Sequence, residues 1–256
     1  MLASAYVRVS MIEHETLLID ERLHEFMCLL EGVAHDPNPD VIHALRVASR
    51  KLDVWLMLGN AWVLRSDLKW LRNLAGRERD ADVVLVDAAL PPQFREWLEA
   101  DRDEGRSQLL IACSSDRARG LVRALQMFAS LPRCAALRNL RNLARRVLKA
   151  GAVREQAEQT IETTHRLRRR LKALRYALEW LHLPKAYLKD MQDSLGAVND
   201  IAVALDLLSR SGMAEAQVEL HSQLEDELQL RVRMAWSSWE SCAVRLSKDM
   251  ELWTSS

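Results

Sequence analysis

The chain carries one pattern twice. HALRVASRKLDVWL, from His43 to Leu56, aligns with HRLRRRLKALRYAL, from His165 to Leu178, sharing His, Leu, Arg, Leu and Leu and setting Arg50 opposite Lys172. Further along, Leu68, Lys69, Gly76, Asp80, Val83 and Leu85 match Leu188, Lys189, Gly196, Asp200, Val203 and Leu205. The first match has an offset of 122 and the second of 120, so a two-residue difference in one loop reconciles them. A unit that occurs twice has to bury its apolar faces within each copy or between the copies. The expectation is two halves, residues 1–130 and 131–256, each long enough for an antiparallel bundle of about four helices, within a single domain.

The period of the apolar residues is helical nearly throughout. Leu17, Leu18, Leu23, Phe26, Leu29 and Leu30 recur near the 3.6-residue spacing, as do Leu167, Leu171, Leu174, Leu178 and Leu181, and no alternating strand pattern is present. With only 8 Gly and 6 Pro in 256 residues the chain is poor in breakers, at about 5% against an average of roughly 12%. Breaks fall at 35–40 (HDPNPD), around Gly76 to Asp80, at Pro91-Pro92, near Pro132, around Gly151, at Pro184 and at Ser211-Gly212. Asn38 reads as an N-cap with Pro39 in the first helical position. The fold class is therefore all-α. No apolar run approaches the ~18 residues of a membrane span, and the first residues lack the order of a signal peptide, so a cytoplasmic protein is expected. Cys28, Cys113, Cys134 and Cys242 are scattered without CxxC spacing, which suits buried thiols better than a metal site or a disulfide framework.

Charge cancels in total, 36 basic against 36 acidic residues, but not locally. Seven bases and no acid lie between Arg133 and Arg154, and six more, again with no acid, between His165 and Arg175. From Met213 to Glu251 eight acids face four bases. Potential follows local clustering, so one face can be strongly positive in a neutral molecule. On an ideal helix, His and the residues at +3, +7 and +10 fall within one stripe about 80° wide. In the second copy these are His165, Arg168, Lys172 and Arg175; the first offers His43, Arg46 and Arg50, with Lys51 adjacent. Arg138, Arg141, Arg145 and Lys149 make a further stripe. Like charges at these spacings cost helix stability, and an anion would offset that cost. Arginine suits phosphate because its planar fork donates paired charge-assisted hydrogen bonds. Asp80 and Asp200 each follow a glycine by four residues. They read either as N-caps after a C-cap glycine or as acceptors that fix a motif His or Arg, with Asn199 assisting in the second copy.

At these residues the sequence resembles the CHAD family, the conserved histidine α-helical domain. The resemblance rests on the His-x-x-Arg-x-x-x-Arg/Lys helix in both halves and on the Leu-Gly-then-Asp element, clearest as LKDMQDSLGAVNDIAVAL from Leu188 to Leu205, and spans about residues 10–245. It implies two helical bundles related by a pseudo-twofold axis, with a basic channel between them that binds inorganic polyphosphate without catalysis, and association with polyphosphate granules and their proteins. The positions it nominates are His43, Arg46, Arg50 and Lys51 in the first half and His165, Arg168, Lys172 and Arg175 in the second; Lys69, Lys189, Arg138, Arg141 and Arg145 join them as further candidate bases, with Asp80, Asn199 and Asp200 in support. No cofactor or metal is implied. Two features depart from the pattern: Asp53 stands where the second copy has Arg175, and the chain is neutral overall. A carboxylate there either weakens an anion site or clamps Arg46 or Arg50.

The same charges suit nucleic acid, but only Tyr176 lies beside the stripes for base stacking and no helix-turn-helix or zinc-finger pattern is present. A metal-dependent phosphohydrolase would use His43, His165, Asp80 and Asp200. The His35-Asp36 pair superficially resembles that of HD hydrolases but lies in a Pro-rich turn, and cations beside the histidines repel a divalent ion. A helical scaffold with a decayed site, offering Trp236, Trp239 or Trp253 to a protein partner, is the remaining alternative.

Overall fold

The computed structural model describes residues 16–87, 89–153 and 159–253, and it is all-α apart from one small ribbon. A short strand β1 (Thr16–Leu18) leads into α1 (Asp20–His35), α2 (Pro39–Leu58), α3 (Arg65–Leu85), α4 (Pro92–Cys113) and α5 (Asp116–Gln126). Strand β2 (Ser130–Pro132) then opens α6 (Arg133–Gly151), followed by α7 (Ile161–Trp180), a 3₁₀ turn (Ala186–Leu188), α8 (Lys189–Arg210), α9 (Val218–Ser237) and α10 (Trp239–Leu252).

Most of the breaks lie where turn chemistry puts them. Asn38 caps α2, its side chain accepting from Val41 N at 3.0 Å, with Pro39 at the first helical position. Ser115 and Thr160 cap α5 and α7 in the same way, and Pro92 opens α4. Helix α8 ends before Gly212, whose φ of +71° suits glycine. At the end of α6, Gly151 lets the Trp239 indole lie against the backbone; a Cβ there would fall inside the ring. Two expectations are corrected. Gly76 and Asp80 do not mark a break, since both lie inside α3, as Gly196 and Asp200 lie inside α8. Neither aspartate is therefore an N-cap. Leu17 and Leu18 belong to β1, not to the first helix; β1 pairs antiparallel with β2, Leu17 opposite Leu131. Strands of three residues are too short to display an alternating pattern.

Helices α1 to α5 pack among themselves, and so do α6 to α10. Where the sets meet, α2 lies against α7 and α3 against α8, which are the pairs that the repeat makes equivalent, and α2 also packs against α6, where Asn139 donates to the Leu58 carbonyl. One apolar core runs through both sets, including Leu45, Leu52 and Trp55 of α2 and Leu167, Leu171 and Leu174 of α7. Each such side chain, fully buried, contributes roughly 1.5–3 kcal/mol. The contact between the sets is pinned by Trp55 and Trp180, whose ring centroids are 4.6 Å apart. Both indole N–H groups are satisfied, by the carbonyls of Phe128 (3.0 Å) and Lys51 (2.9 Å). Trp236, Trp239 and Trp253 are all buried, so none offers a contact surface. Cys113 and Cys242 are buried but Cys28 and Cys134 are exposed, and all four are free. No helix among the described residues is long and apolar enough to cross a membrane.

Candidate functional site

The apolar stripes of α2 and α7 face the core, which leaves their basic stripes on the adjoining flank where the two helices meet. Arg46 and Arg50 of α2 lie within electrostatic reach of Arg168 and Lys172 of α7. Helix α3 closes one side. Its Asp80 accepts from Arg46 Nη1 at 3.1 Å, and the Gly76 carbonyl accepts from the same nitrogen at 3.3 Å. The carboxylate thus takes the second role read for it, fixing a motif arginine. In the other half the symmetry loosens: Asp200 and Arg168 attract each other, but no hydrogen bond joins them among the described residues. Asn199 approaches Asp200 at 3.5 Å, a long contact.

The cations crowd one another. Burial first, then Arg50, Arg168, Arg46 and Arg175, push the Lys172 ammonium down to about 7. Burial first, with Arg46, Arg168 and Arg72, lowers Arg50 to about 10, and burial also lowers Arg168. His43 is lowered by burial and then by Arg79, Arg46, Lys172 and Arg50, and His165 by burial and then by Arg169 and Arg168. Both imidazoles are therefore mainly neutral near pH 7. Arg50, Arg168, Lys172 and Arg175 make no hydrogen bond or ion pair among the described residues, although Arg175 stacks over the Tyr176 ring at 4.9 Å. All four are half-buried, and Arg175 Nε is sealed from solvent without a hydrogen-bond partner. A group of partly desolvated, mutually repelling cations is electrostatically suited to a multivalent anion.

Other nominated residues lie elsewhere. Lys51 turns away from the stripe and pairs with Glu179 at 3.0 Å, a carboxylate that also takes Lys185 at 2.9 Å. Asp53 clamps neither Arg46 nor Arg50: it takes Arg65 at 2.7 Å and Arg72 at 3.5 Å. Lys69 and Lys189 are exposed, about 10 Å along their helices from Gly76 and Gly196 and on the same faces. The α6 stripe stands apart. Arg138 and Arg145 are exposed on the side of α6 opposite its buried leucines, and Arg141 reaches the Trp253 carbonyl at 3.4 Å. Helix α6 also touches α7 on the wrong side, since Arg170 donates to the Arg146 carbonyl and Arg170 is about 140° round the helix from His165. Arg138, Arg141 and Arg145 therefore form a separate outer ridge; Arg154, counted in that stretch, lies outside the described residues.

Sequence reasoning missed Arg72 and Arg79, which bring α3 into the cluster. The signal was there in their seven-residue spacing, on the side of α3 that carries Gly76. The repeat hid it because the equivalent residues of α8 are Gln192 and Asn199.

Solved structures share this architecture. The CHAD domain from the plant Ricinus communis is 23% identical with a TM-score of 0.64, the match covering 90% of this chain and 87% of that one. PptA from Streptomyces chartreusis is 18% identical with a TM-score of 0.65, the match covering 88% and 99%. At these identities the likeness concerns the fold. No curated protein matches the chain. The family model of the CHAD domain matches residues 17–209, from β1 through nearly all of α8, and the chain belongs to the CHAD domain family.

Proposed function

We propose that the protein binds inorganic polyphosphate, without catalysis, in the basic cluster where α2 and α3 face α7 and α8. In this reading residues 1–130 and 131–256 are two pseudo-symmetric bundles of a single domain, and the cluster is the channel between them. The observation that carries it is the convergence of Arg46 and Arg50 with Arg168 and Lys172, each helix's cations repelling the other's, with the tips of Arg50, Arg168, Lys172 and Arg175 unpaired among the described residues. A linear polyanion presents phosphates in succession, and each guanidinium meets one with paired donors. Its bound counterions are released as the cations replace them, so affinity falls steeply with salt. The outer ridge of Arg138, Arg141 and Arg145 supplies a second, weaker track for the same chain. The protein acts in the cytoplasm, beside polyphosphate granules and their proteins.

The test is a titration with long-chain polyphosphate at about 50 and 200 mM salt, on the full chain and on an R168A/K172A/R175A variant whose fold is checked by circular dichroism. Binding at low salt that weakens at high salt and is at least tenfold weaker in the variant supports the reading. No binding at low salt, or full binding by the variant, refutes it.

A further inference from the structure

Helix α1 carries a stripe of chemistry-bearing side chains unlike the basic ones. Counted at 100° per residue, Glu21, His24, Cys28, Glu31 and His35 fall within about 80° of one another. All five are exposed. The stripe holds no lysine or arginine, so the cations that repel a divalent ion from His43 and His165 are missing from it. Within it two donors already stand together: Cys28 Sγ lies 3.6 Å from His24 Nε2, one helical turn away and at the surface. A metal ion held by a thiolate at about 2.3 Å and an imidazole nitrogen at about 2.0–2.1 Å, at the tetrahedral angle, sets those two atoms about 3.5–3.6 Å apart. The pair therefore has the bite of a chelate as it stands. The other cysteines lack this setting. Cys113 and Cys242 are buried, and Cys134, though exposed, makes no side-chain hydrogen bond among the described residues.

We propose that His24, Cys28 and Glu31 on the exposed face of α1 bind a zinc-class divalent cation, with water completing the coordination. As the side chains lie, no third His, Cys, Asp or Glu joins the pair among the described residues, so the third ligand has to swing in. Side chains on a helix lean toward its N-terminus. Glu31, three residues after Cys28, therefore leans back over the pair, whereas Glu21, three residues before His24, leans away. The Glu31 carboxylate has no ion pair or hydrogen bond among the described residues, and a change of rotamer brings it to the metal. The donor set chooses the ion. A thiolate beside an imidazole favours Zn²⁺ over Mg²⁺ and Ca²⁺, which take oxygen ligands. Binding releases the thiol proton to solvent and moves no electron, so affinity rises with pH. Cysteine spacing alone hides such a site, because the second soft donor is a histidine one turn away and not another cysteine. None of the three residues belongs to the basic cluster, so the site stands or falls independently of polyphosphate binding.

The experiment titrates the reduced full chain, free of phosphate and polyphosphate, with Zn²⁺ against a chromophoric chelator, and separately with Co²⁺ as a spectroscopic probe. The expected result is one Zn²⁺ per chain in the micromolar range, undisturbed by millimolar Mg²⁺, and a thiolate-to-cobalt charge-transfer band in the near ultraviolet. C28S should abolish the band, and C28S and H24A should each weaken Zn²⁺ binding at least tenfold, with E31Q weakening it at least threefold. C134S should bind as the wild type does. These side chains are exposed, so the variants keep the fold, which circular dichroism checks. No uptake of Zn²⁺ overturns the proposal and leaves the Cys28–His24 contact as a hydrogen bond. Unchanged affinity in C28S or H24A, or cobalt bound without the thiolate band, overturns it as well, and unchanged affinity in E31Q removes Glu31 from the ligand set.

Discussion

A polyanion entering this cluster has to change the protonation of Lys172. In the free protein its ammonium is pushed down to about 7 by burial and by Arg50, Arg168, Arg46 and Arg175. A row of phosphates beside it supplies the missing opposite charge and raises it toward its ordinary value of about 10.4. Binding is then linked to uptake of a proton, about 0.5 at pH 7 and about 0.8–0.9 at pH 8, as the free lysine empties and the bound one stays full. Affinity must fall as pH rises, by about 25- to 50-fold between pH 7 and 9 for a bound value of about 9 to 10.4. His43 and His165 are lowered in the free protein by burial and by the same cations, and the same phosphates raise them, so the Lys172 share is the uptake at pH 8 that K172R removes. Isothermal titration of long-chain polyphosphate in buffers of different ionisation enthalpy reads the uptake directly. In K172R the uptake at pH 8 and the pH slope should both disappear while binding persists. Uptake near zero at pH 8, or an unchanged slope in K172R, would show that Lys172 is not the coupled group.

Four further outcomes follow. Lys172→Met should stabilise the fold, because in the folded protein the lysine is lowered while in the unfolded chain it titrates near 10.4. The unfolded state binds more protons between about pH 7 and 10, so wild-type stability rises across that window, and the methionine gain is largest below it, about 2 kcal/mol at pH 6 in urea unfolding, and small at pH 10. Asp80→Asn keeps an acceptor for Arg46 and removes the neighbouring countercharge; polyphosphate should bind about threefold more tightly, by roughly 0.6 kcal/mol, and weaker binding would refute that account. Gly196→Ala should raise the melting temperature by the equivalent of about 0.5–1 kcal/mol, since an added Cβ meets nothing within 4 Å inside α8, whereas Gly151→Ala should cost about 2–4 kcal/mol by driving Trp239 from its seat. R168A/K172A/R175A should flatten the salt dependence of polyphosphate binding by about two units of log–log slope, and R138A/R141A/R145A by less than one, if the outer ridge is the weaker track.

The helices and both motif stripes were legible because a 3.6-residue period and local caps announce themselves within a few residues. The misreadings have one cause, a local rule overridden by a distant partner. Gly76 resembles a helix end, yet α3 runs through it, and its carbonyl and the carboxylate one turn on both serve Arg46 from another helix. Asp53 looks out of place against the stripe on its own helix, but its partners are Arg65 and Arg72 on the next. Lys51 follows Arg50 in sequence and is turned by 100° to a different neighbour, Glu179. The basic run of α6 was equally visible, but charge along a sequence does not say which way a helix faces. The resemblance read to about residue 245 is matched as far as 209, so α9 and α10 stand beyond the matched stretch.

Overall neutrality, the feature most at odds with a polyanion site, follows from where the acids go. Asp101 takes Arg77 at 2.6 Å and Arg210 at 3.1 Å, Glu78 takes Arg106 at 2.9 Å, and Asp82 faces Arg102 at 3.9 Å. These carboxylates join α3 to α4 and α8 and are matched by their own arginines, so they do not offset charge on the α2–α7 flank. Eight further acids lie from Met213 onward, seven of them on α9 and α10. Within a Debye length of about 8 Å at physiological salt, the cluster is met chiefly by Asp80 and Asp200. An anion there responds to the local excess of Arg46, Arg50, Arg168, Lys172 and Arg175, not to the sum over 256 residues. Neutralising acids of α9, by E225Q/D226N/E227Q, should therefore shift polyphosphate affinity by less than twofold at 150 mM salt. A tenfold gain would show that the whole-molecule charge governs binding and that the cluster does not act as an isolated site.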